Sequence, residues 1–293
     1  MMRCIASDMD GTLLNSKQKI SPANRDAIKL AIEEGIKFVI VTGRSYIEAK
    51  EVLDEVGINC PVIGLNGAEV RNEAGEVVYT NLLNPETALN VSKFLNELNI
   101  YHEFFTNKGL LTEDYQASIE ILVDIFKTAN PEISEEEIRN HVKNRGITRN
   151  IRNFSDVGDV FKDPTIKFYK ILAFDKNDAL YKEIGSKLER AMDHIKVTSS
   201  GFSNIEINHI SAQKGIALER FLDEQGISLQ DTMAIGDNFN DVSMLTKVGY
   251  SFAMGNAEED VKQICKFETT RNDEDGVAKA IHTFLEMSKM KRI

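Results

Sequence analysis

Four short apolar runs, at residues 4–7, 36–41, 61–65 and 232–235, each stop abruptly at polar or glycine residues. The stops read Asp8-Met9-Asp10-Gly11-Thr12, Thr42-Gly43-Arg44, Asn66-Gly67-Ala68 and Gly236-Asp237-Asn238-Phe239-Asn240-Asp241. Apolar runs this short, with little polar alternation, suit strands covered on both faces of a parallel sheet. Helical patterns separate them: residues 22–34, with Ser21 placed to cap and Pro22 at the first position, about 45–56, and 213–225. Alternating strands and helices predict an α/β fold with a Rossmann-like parallel-sheet core, and such sheets bind ligands beyond the carboxyl ends of their strands. All four polar stops fall there.

The alternation is interrupted. Residues 66–81 read as a β-hairpin turning at Asn72-Glu73-Ala74-Gly75. Beyond Asn84-Pro85 the patterns predict a helix to about 98, a Phe-rich strand at 101–105, a turn at Gly109 and helices at 114–128 and 134–145. A strand at 166–174, a helix at 178–191 and strands at 195–200 and 204–209 complete the block. With strands and helices of its own, this block is an inserted α+β domain at 84–207, and the core comprises 1–83 and 208–293. After 232–235 the core continues with a helix to 247, a strand at 250–254 and helices at 257–265 and 276–287.

A chain of 293 residues can bury a core of this size, and 42% hydrophobic with 28% charged residues places it among folded globular proteins. No stretch approaches the ~20 apolar residues of a membrane span, and Asp8 arrives too early for a signal-peptide apolar region; the expected location is cytoplasmic. A net charge of -11 opposes binding to nucleic acid or anionic membrane. Cys4, Cys60 and Cys265 are odd in number and widely spaced, as buried free thiols are. The five histidines, 102, 141, 194, 209 and 282, form no pair at metal-ligand spacing.

Asp8 and Asp10, two apart after a strand, point to one side in extended geometry; alone, such a pair is more often a turn or a helix cap. Gly11 permits a sharp turn and Thr12 offers a hydroxyl. The second acidic loop places four carboxylate or amide side chains within residues 237–241, more than one helix cap explains. Hard oxygen ligands without thiolate or imidazole suit Mg²⁺, and Asp8, Asp10 and Asp237 are the preferred set. Thr42-Gly43-Arg44 opens a helix, where a hydroxyl and free amides can cradle phosphate, or simply make a turn and cap. Lys214 sits in the first turn of its helix, against the macrodipole; it faces either a phosphate and the acidic centre, or solvent.

Asp8-x-Asp10-Gly11-Thr12, Thr42-Gly43-Arg44, Lys214-Gly215 and Gly236-Asp237-x-x-Asn240-Asp241, in this order, resemble the haloacid dehalogenase-like hydrolase superfamily. The insertion between the second and third motifs resembles the Cof-type branch with its α/β (type IIB) cap, as does Asn66-Gly67-Ala68. Ser211 and Gln213 stand where relatives often carry Gly and Ser. The resemblance implies that Asp8 attacks phosphorus to form an aspartyl-phosphate, and that Asp10 protonates the leaving oxygen and later deprotonates water. It implies Mg²⁺ held by the Asp8 carboxylate, the Asp10 backbone carbonyl and Asp237, supported by Asn240 and Asp241. Thr42 and Lys214 would bind the phosphoryl oxygens, with Met9, Gly43, Arg44, Asn66 and Asn240 completing the phosphate- and substrate-binding set. The expected substrate is a small phosphorylated metabolite: a sugar phosphate, a flavin-pathway phosphate or similar. A phosphomutase uses the same aspartate pair, and a phosphoryl receiver also phosphorylates an aspartate, though without need of Asp10. Tyr101, His102, Glu103, Phe105 and Arg149 are inserted-domain residues that could line a pocket, but core or surface roles fit most of them better.

Overall fold

A computed structural model describes residues 3–129, 133–144, 151–154, 157–174, 178–198 and 204–290. In chain order the first elements are β1 (Cys4–Ser7), α1 (Pro22–Glu33), β2 (Lys37–Val41), α2 (Tyr46–Glu55), β3 (Val62–Gly64), β4 (Glu69–Arg71) and β5 (Val77–Thr80). The intermediate block contains α3 (Pro85–Glu97), β6 (Tyr101–Thr106), β7 (Gly109–Thr112), α4 (Tyr115–Ala129), α5 (Glu135–Asn144), β8 (Ile151–Asn153) and α6 (Val157–Lys162). It continues with β9 (Phe168–Phe174), α7 (Asp178–Ala191), β10 (Ile195–Thr198) and β11 (Asn204–His209). The chain then returns through α8 (Lys214–Glu224), β12 (Thr232–Gly236), α9 (Val242–Leu245), β13 (Tyr250–Ala253), α10 (Glu259–Ile264), β14 (Phe267–Glu268) and α11 (Gly276–Met290).

Two compact units result: Met1–Thr80 with Ala212–Ile293, and Asn81–Ser211. The first holds an eight-stranded sheet ordered β14-β13-β12-β1-β2-β3-β4-β5. Its strands are parallel from β14 to β3, and β4 and β5 add as an antiparallel hairpin. This is the α/β, Rossmann-like core with an inserted unit that the alternation predicts. β1 lies at the centre, every residue buried, with Cys4 paired to Thr232 on one side and Lys37 on the other. That placement explains why its sequence lacks alternation: helices cover both faces. Ile5, Phe38, Val39, Ile63, Ala234, Phe221 and Phe284 belong to one continuous core around it, and each large side chain fully buried there contributes roughly 1.5–3 kcal/mol.

Helix starts follow the local chemistry. The Ser21 side chain accepts from the Asn24 amide at 3.1 Å with Pro22 at the first turn, as expected. Ser45 and Glu48 cap each other reciprocally at the start of α2, which fixes the exit of the chain from Thr42-Gly43-Arg44.

The second unit is a six-stranded sheet, β10-β11-β9-β6-β7-β8, antiparallel except for β7 with β8. Phe104, Ile171, Ala173 and Ile207 share one apolar cluster with Val91 and Leu95 of α3 and Leu188 of α7. Alternate residues of the same strands are polar: Glu103, Lys170, Glu206 and Asn208 are all buried. Gly109 opens β7 as well as a turn, and β8, α6 and β14 are short elements that the periodicity does not reveal. No described helix is long and apolar enough to cross a membrane.

Candidate active site

The carboxyl ends of β1, β2, β3 and β12 carry the polar stops, and the register of adjacent parallel strands brings them together: Ser7 lies beside Ile235 and Ile40. After Asp8 the chain makes one wide turn through residues 9–13, in which Gly11 has φ +71°. A side chain at Gly11 would place its Cβ 2.2 Å from Asp237 Oδ2, so the glycine serves both the left-handed backbone and the close approach of the second acidic loop. Asn256 holds the turn from behind. Its amide nitrogen donates to the Gly11 carbonyl at 2.7 Å while its oxygen accepts from the Asn272 amide at 2.9 Å.

Lys214 is almost completely buried. Its ammonium donates to Asp8 Oδ1 at 2.7 Å and to Asp241 Oδ1 at 2.6 Å. Its position in the first turn of α8 opposes the macrodipole, and two carboxylates outweigh that term. Burial alone would lower the Lys214 pKa, but Asp241 and Asp8 raise it, so the ammonium stays charged. Gly215 lets α8 approach: a Cβ there would lie 1.8 Å from the Ser243 carbonyl oxygen, and the Gly215 amide donates to Ser243 Oγ at 2.9 Å.

Asp241 is fully buried, its Oδ2 accepting from the amides of Asp237 and Asn238 at 2.9 and 3.1 Å. Thr12 Oγ1 donates to Asp237 Oδ1 at 3.1 Å. One carboxylate oxygen from each of Asp8, Asp237 and Asp241 lies within 4.8 Å of the others. Three carboxylates share this pocket with one ammonium, which is paired with two of them, so two negative charges are left in excess. Burial pushes the Asp8 carboxyl upward, against the pull of Lys214 and with the help of Asp241 and Asp10. Burial, then Asp8 and Asp241, push Asp237 upward as well. A divalent cation among these oxygens would reverse both shifts.

The Asp10 side chain takes a different direction. Its two oxygens accept from Arg44 Nε at 2.7 Å and Nη2 at 2.5 Å, and Arg44 Nη2 also donates to Gln18 Oε1. The Met9 side chain is buried in the core. Thr42 is buried, and its hydroxyl oxygen accepts from the Arg44 amide at 3.1 Å, so Gly43 lies in a short side-chain-closed turn. Asn66 has φ +58° and is buried, its amide donating to the Thr42 carbonyl at 2.9 Å, while Asn240 Nδ2 donates to Asn66 Oδ1 at 3.4 Å. The third stop therefore ties the second to the fourth.

In the other unit, Tyr101 Oη donates to Glu103 Oε1 at 2.8 Å, and Lys170 Nζ sits 4.7 Å from the centroid of Phe105 and 2.7 Å from Glu206 Oε1. His102 Nε2 lies 2.7 Å from Ser92 Oγ, inside the unit. Arg149 lies outside the described residues. Asn256 and Gln18 are absent from the sequence-based set. Asn256 had a usable signal, since Met254-Gly255-Asn256 is another polar stop after a strand; Gln18, in a surface turn, had none.

A family model described as haloacid dehalogenase-like hydrolase matches residues 5–281. The chain is 36% identical over 287 residues to the 5-amino-6-(5-phospho-D-ribitylamino)uracil phosphatase YwtE of Bacillus subtilis, covering 97% of this chain and 98% of that one. It is 33% identical over 282 residues to phosphatase YwpJ of the same organism, covering 94% and 98%. A solved haloacid dehalogenase-like hydrolase from B. subtilis superposes with a TM-score of 0.87 at 32% identity, over 96% of this chain and 99% of that one.

Proposed function

The chain belongs to the haloacid dehalogenase-like hydrolases, and from that premise we propose that it is a Mg²⁺-dependent, Cof-type (IIB) phosphatase of small phosphomonoesters that works through an aspartyl-phosphate on Asp8. The observation that carries this reading is the cluster of Asp8, Asp237 and Asp241 carboxylates, two of which, Asp8 and Asp241, are paired with the buried Lys214 ammonium. The donor set is hard oxygen only, and its excess negative charge fits a divalent cation. Asp8, Asp237, Asp241 and the Asp10 backbone carbonyl would hold Mg²⁺, which supplies the positive charge that keeps Asp8 ionised and offsets the charge of the phosphoryl group.

The residues themselves divide the work. Asp8 attacks phosphorus as the bond to the leaving oxygen breaks, and the Asp10 carboxyl gives its proton to that oxygen. Water then attacks the aspartyl-phosphate and loses its proton to Asp10, which releases phosphate and restores Asp8. Lys214, fixed by Asp8 and Asp241, and Thr42 stabilise the equatorial oxygens. Asn66 and Asn240 line the substrate side and Gly43 lets the ligand approach the backbone. Residues 84–207 form the cap that selects the substrate. The B. subtilis relative named for 5-amino-6-(5-phospho-D-ribitylamino)uracil makes that phosphate the first physiological candidate.

The test is turnover of p-nitrophenyl phosphate and of that candidate by wild type, Asp8→Asn and Asp10→Asn, with Mg²⁺ and with EDTA. Release of phosphate that requires both Mg²⁺ and Asp8 is the expected result. Equal, slow release by wild type and Asp8→Asn would remove the proposal.

A further inference from the structure

Arg44 follows Thr42-Gly43 at a helix start, a place suited to a phosphate ligand, but its side chain is committed elsewhere. Nε and Nη2 form a parallel fork on both oxygens of Asp10, at 2.7 and 2.5 Å. This is the bidentate geometry that a guanidinium offers to carboxylate or phosphate. The remaining proton of Nη2 goes to Gln18 Oε1, which takes half of the neighbouring guanidinium edge as well. A phosphate would have to displace Asp10 or Gln18 to be held in a fork by Arg44.

The two partners differ in freedom. The Arg44 side chain is 10% exposed, whereas that of Asp10 is 51% exposed, so the guanidinium is the fixed member and the carboxylate the one it aims. Gln18 is placed at some cost. Its φ is +59°, a conformation that costs a non-glycine residue roughly 1 kcal/mol. The turn holding it closes on Asn15: the Gln18 amide donates to the Asn15 carbonyl at 2.8 Å, and Asn15 Oδ1 accepts from the amides of Lys17 and Lys19 at 3.0 and 3.1 Å. Leu14 and Ile20 bridge across its base.

We propose that Arg44 and Gln18 are positioning residues for Asp10: Gln18 orients the Arg44 guanidinium, and Arg44 aims the Asp10 carboxylate toward the leaving oxygen, without binding the phosphoryl group itself. The proposal rests on the phosphatase reading above and assigns Arg44 a different partner within it. A general acid matters most when the leaving group is a poor one, so its misplacement has a distinctive signature.

The experiment compares wild type, Arg44→Lys, Gln18→Ala and Asp10→Asn on an alkyl phosphate, glycerol phosphate, and on p-nitrophenyl phosphate, whose phenolate leaves with little need of a proton. kcat/KM is read for both, because it reports the step in which the leaving group departs, together with the inhibition constant for inorganic phosphate. Arg44→Lys is expected to lose about 10-fold or more on glycerol phosphate and no more than about 3-fold on p-nitrophenyl phosphate. Gln18→Ala should show the same pattern with a smaller amplitude, Asp10→Asn the same pattern with a larger one, and phosphate inhibition should stay within about twofold of wild type in the Arg44 and Gln18 variants. Equal losses on both substrates, or weaker inhibition by phosphate in Arg44→Lys, would overturn the proposal and make Arg44 a phosphate ligand. Wild type inert on both substrates would instead bring down the phosphatase reading, and this inference with it.

Discussion

At the residue scale the centre of the molecule is an ammonium shared by two carboxylates. Lys214, Asp8 and Asp241 are buried together, and removing one member of such a group leaves charge without compensation. Lys214→Met should destabilise the metal-free protein by about 3–5 kcal/mol, measured by urea denaturation in EDTA, besides abolishing turnover. If Lys214 were a solvated lysine, the same substitution would change stability by less than about 0.5 kcal/mol. Asp8→Asn is expected to behave differently. It removes the nucleophile, so turnover falls by about 10³-fold or more. It also takes a negative charge out of a pocket that has too many, so the metal-free protein should not become less stable. Activity and stability thus separate at Asp8 and move together at Lys214.

At the element scale, geometry depends on how closely α8 and the second acidic loop can approach. Gly215→Ala would drive a Cβ to within 1.8 Å of the Ser243 carbonyl oxygen, backbone that cannot rotate away. The helix would have to shift and carry Lys214 with it, so a loss of about 1–3 kcal/mol is expected, with reduced kcat on p-nitrophenyl phosphate. Wild-type values for the variant would mean that the approach is not needed. This level also shows what the sequence could reveal. Strands such as β1, β2 and β12, buried on both faces, leave continuous apolar runs, and the polar stops marked where they end. β7 reads as a turn because Gly109 leads it, and β8 and β14, of three and two residues, are shorter than any periodicity can register. The direction of the Arg44 side chain and the burial of Lys214 were not legible either, since each is decided by partners distant in sequence: Asp10 lies 34 positions from Arg44 and Asp8 lies 206 from Lys214. Charged residues in strands conceal the Lys170–Glu206 pair in the same way, because only the register of β9 against β11 brings them together.

At the scale of the whole molecule, the acidic centre links stability to pH and to the cation. In the metal-free fold the carboxyls of Asp8 and Asp237 are raised above their ordinary value of 3.8, chiefly by burial. The folded chain therefore holds more protons than the unfolded chain between that value and the raised ones. By linkage, stability falls as pH rises through this window and is fully retained only below it. His102 and His209 act in the opposite sense, because burial lowers their folded pKa and their contribution is lost as pH falls. A single pH curve would mix these opposing terms, but the difference between curves with and without Mg²⁺ isolates the acidic centre, because the histidines contribute equally to both. Protons and the cation compete for the same carboxylates. The gain in thermal midpoint from Mg²⁺ should thus be near zero at about pH 4 and grow toward pH 8. At a concentration about 100-fold above the dissociation constant, binding contributes about 2.7 kcal/mol, which in a chain of this size raises the midpoint by several degrees. Asp237→Asn should flatten that difference across the whole range, since it removes one ligand and one of the competing titrations. A Mg²⁺ effect that is the same at pH 4 and pH 8, or that survives in Asp237→Asn, would place cation binding somewhere other than the carboxyl ends of β1 and β12.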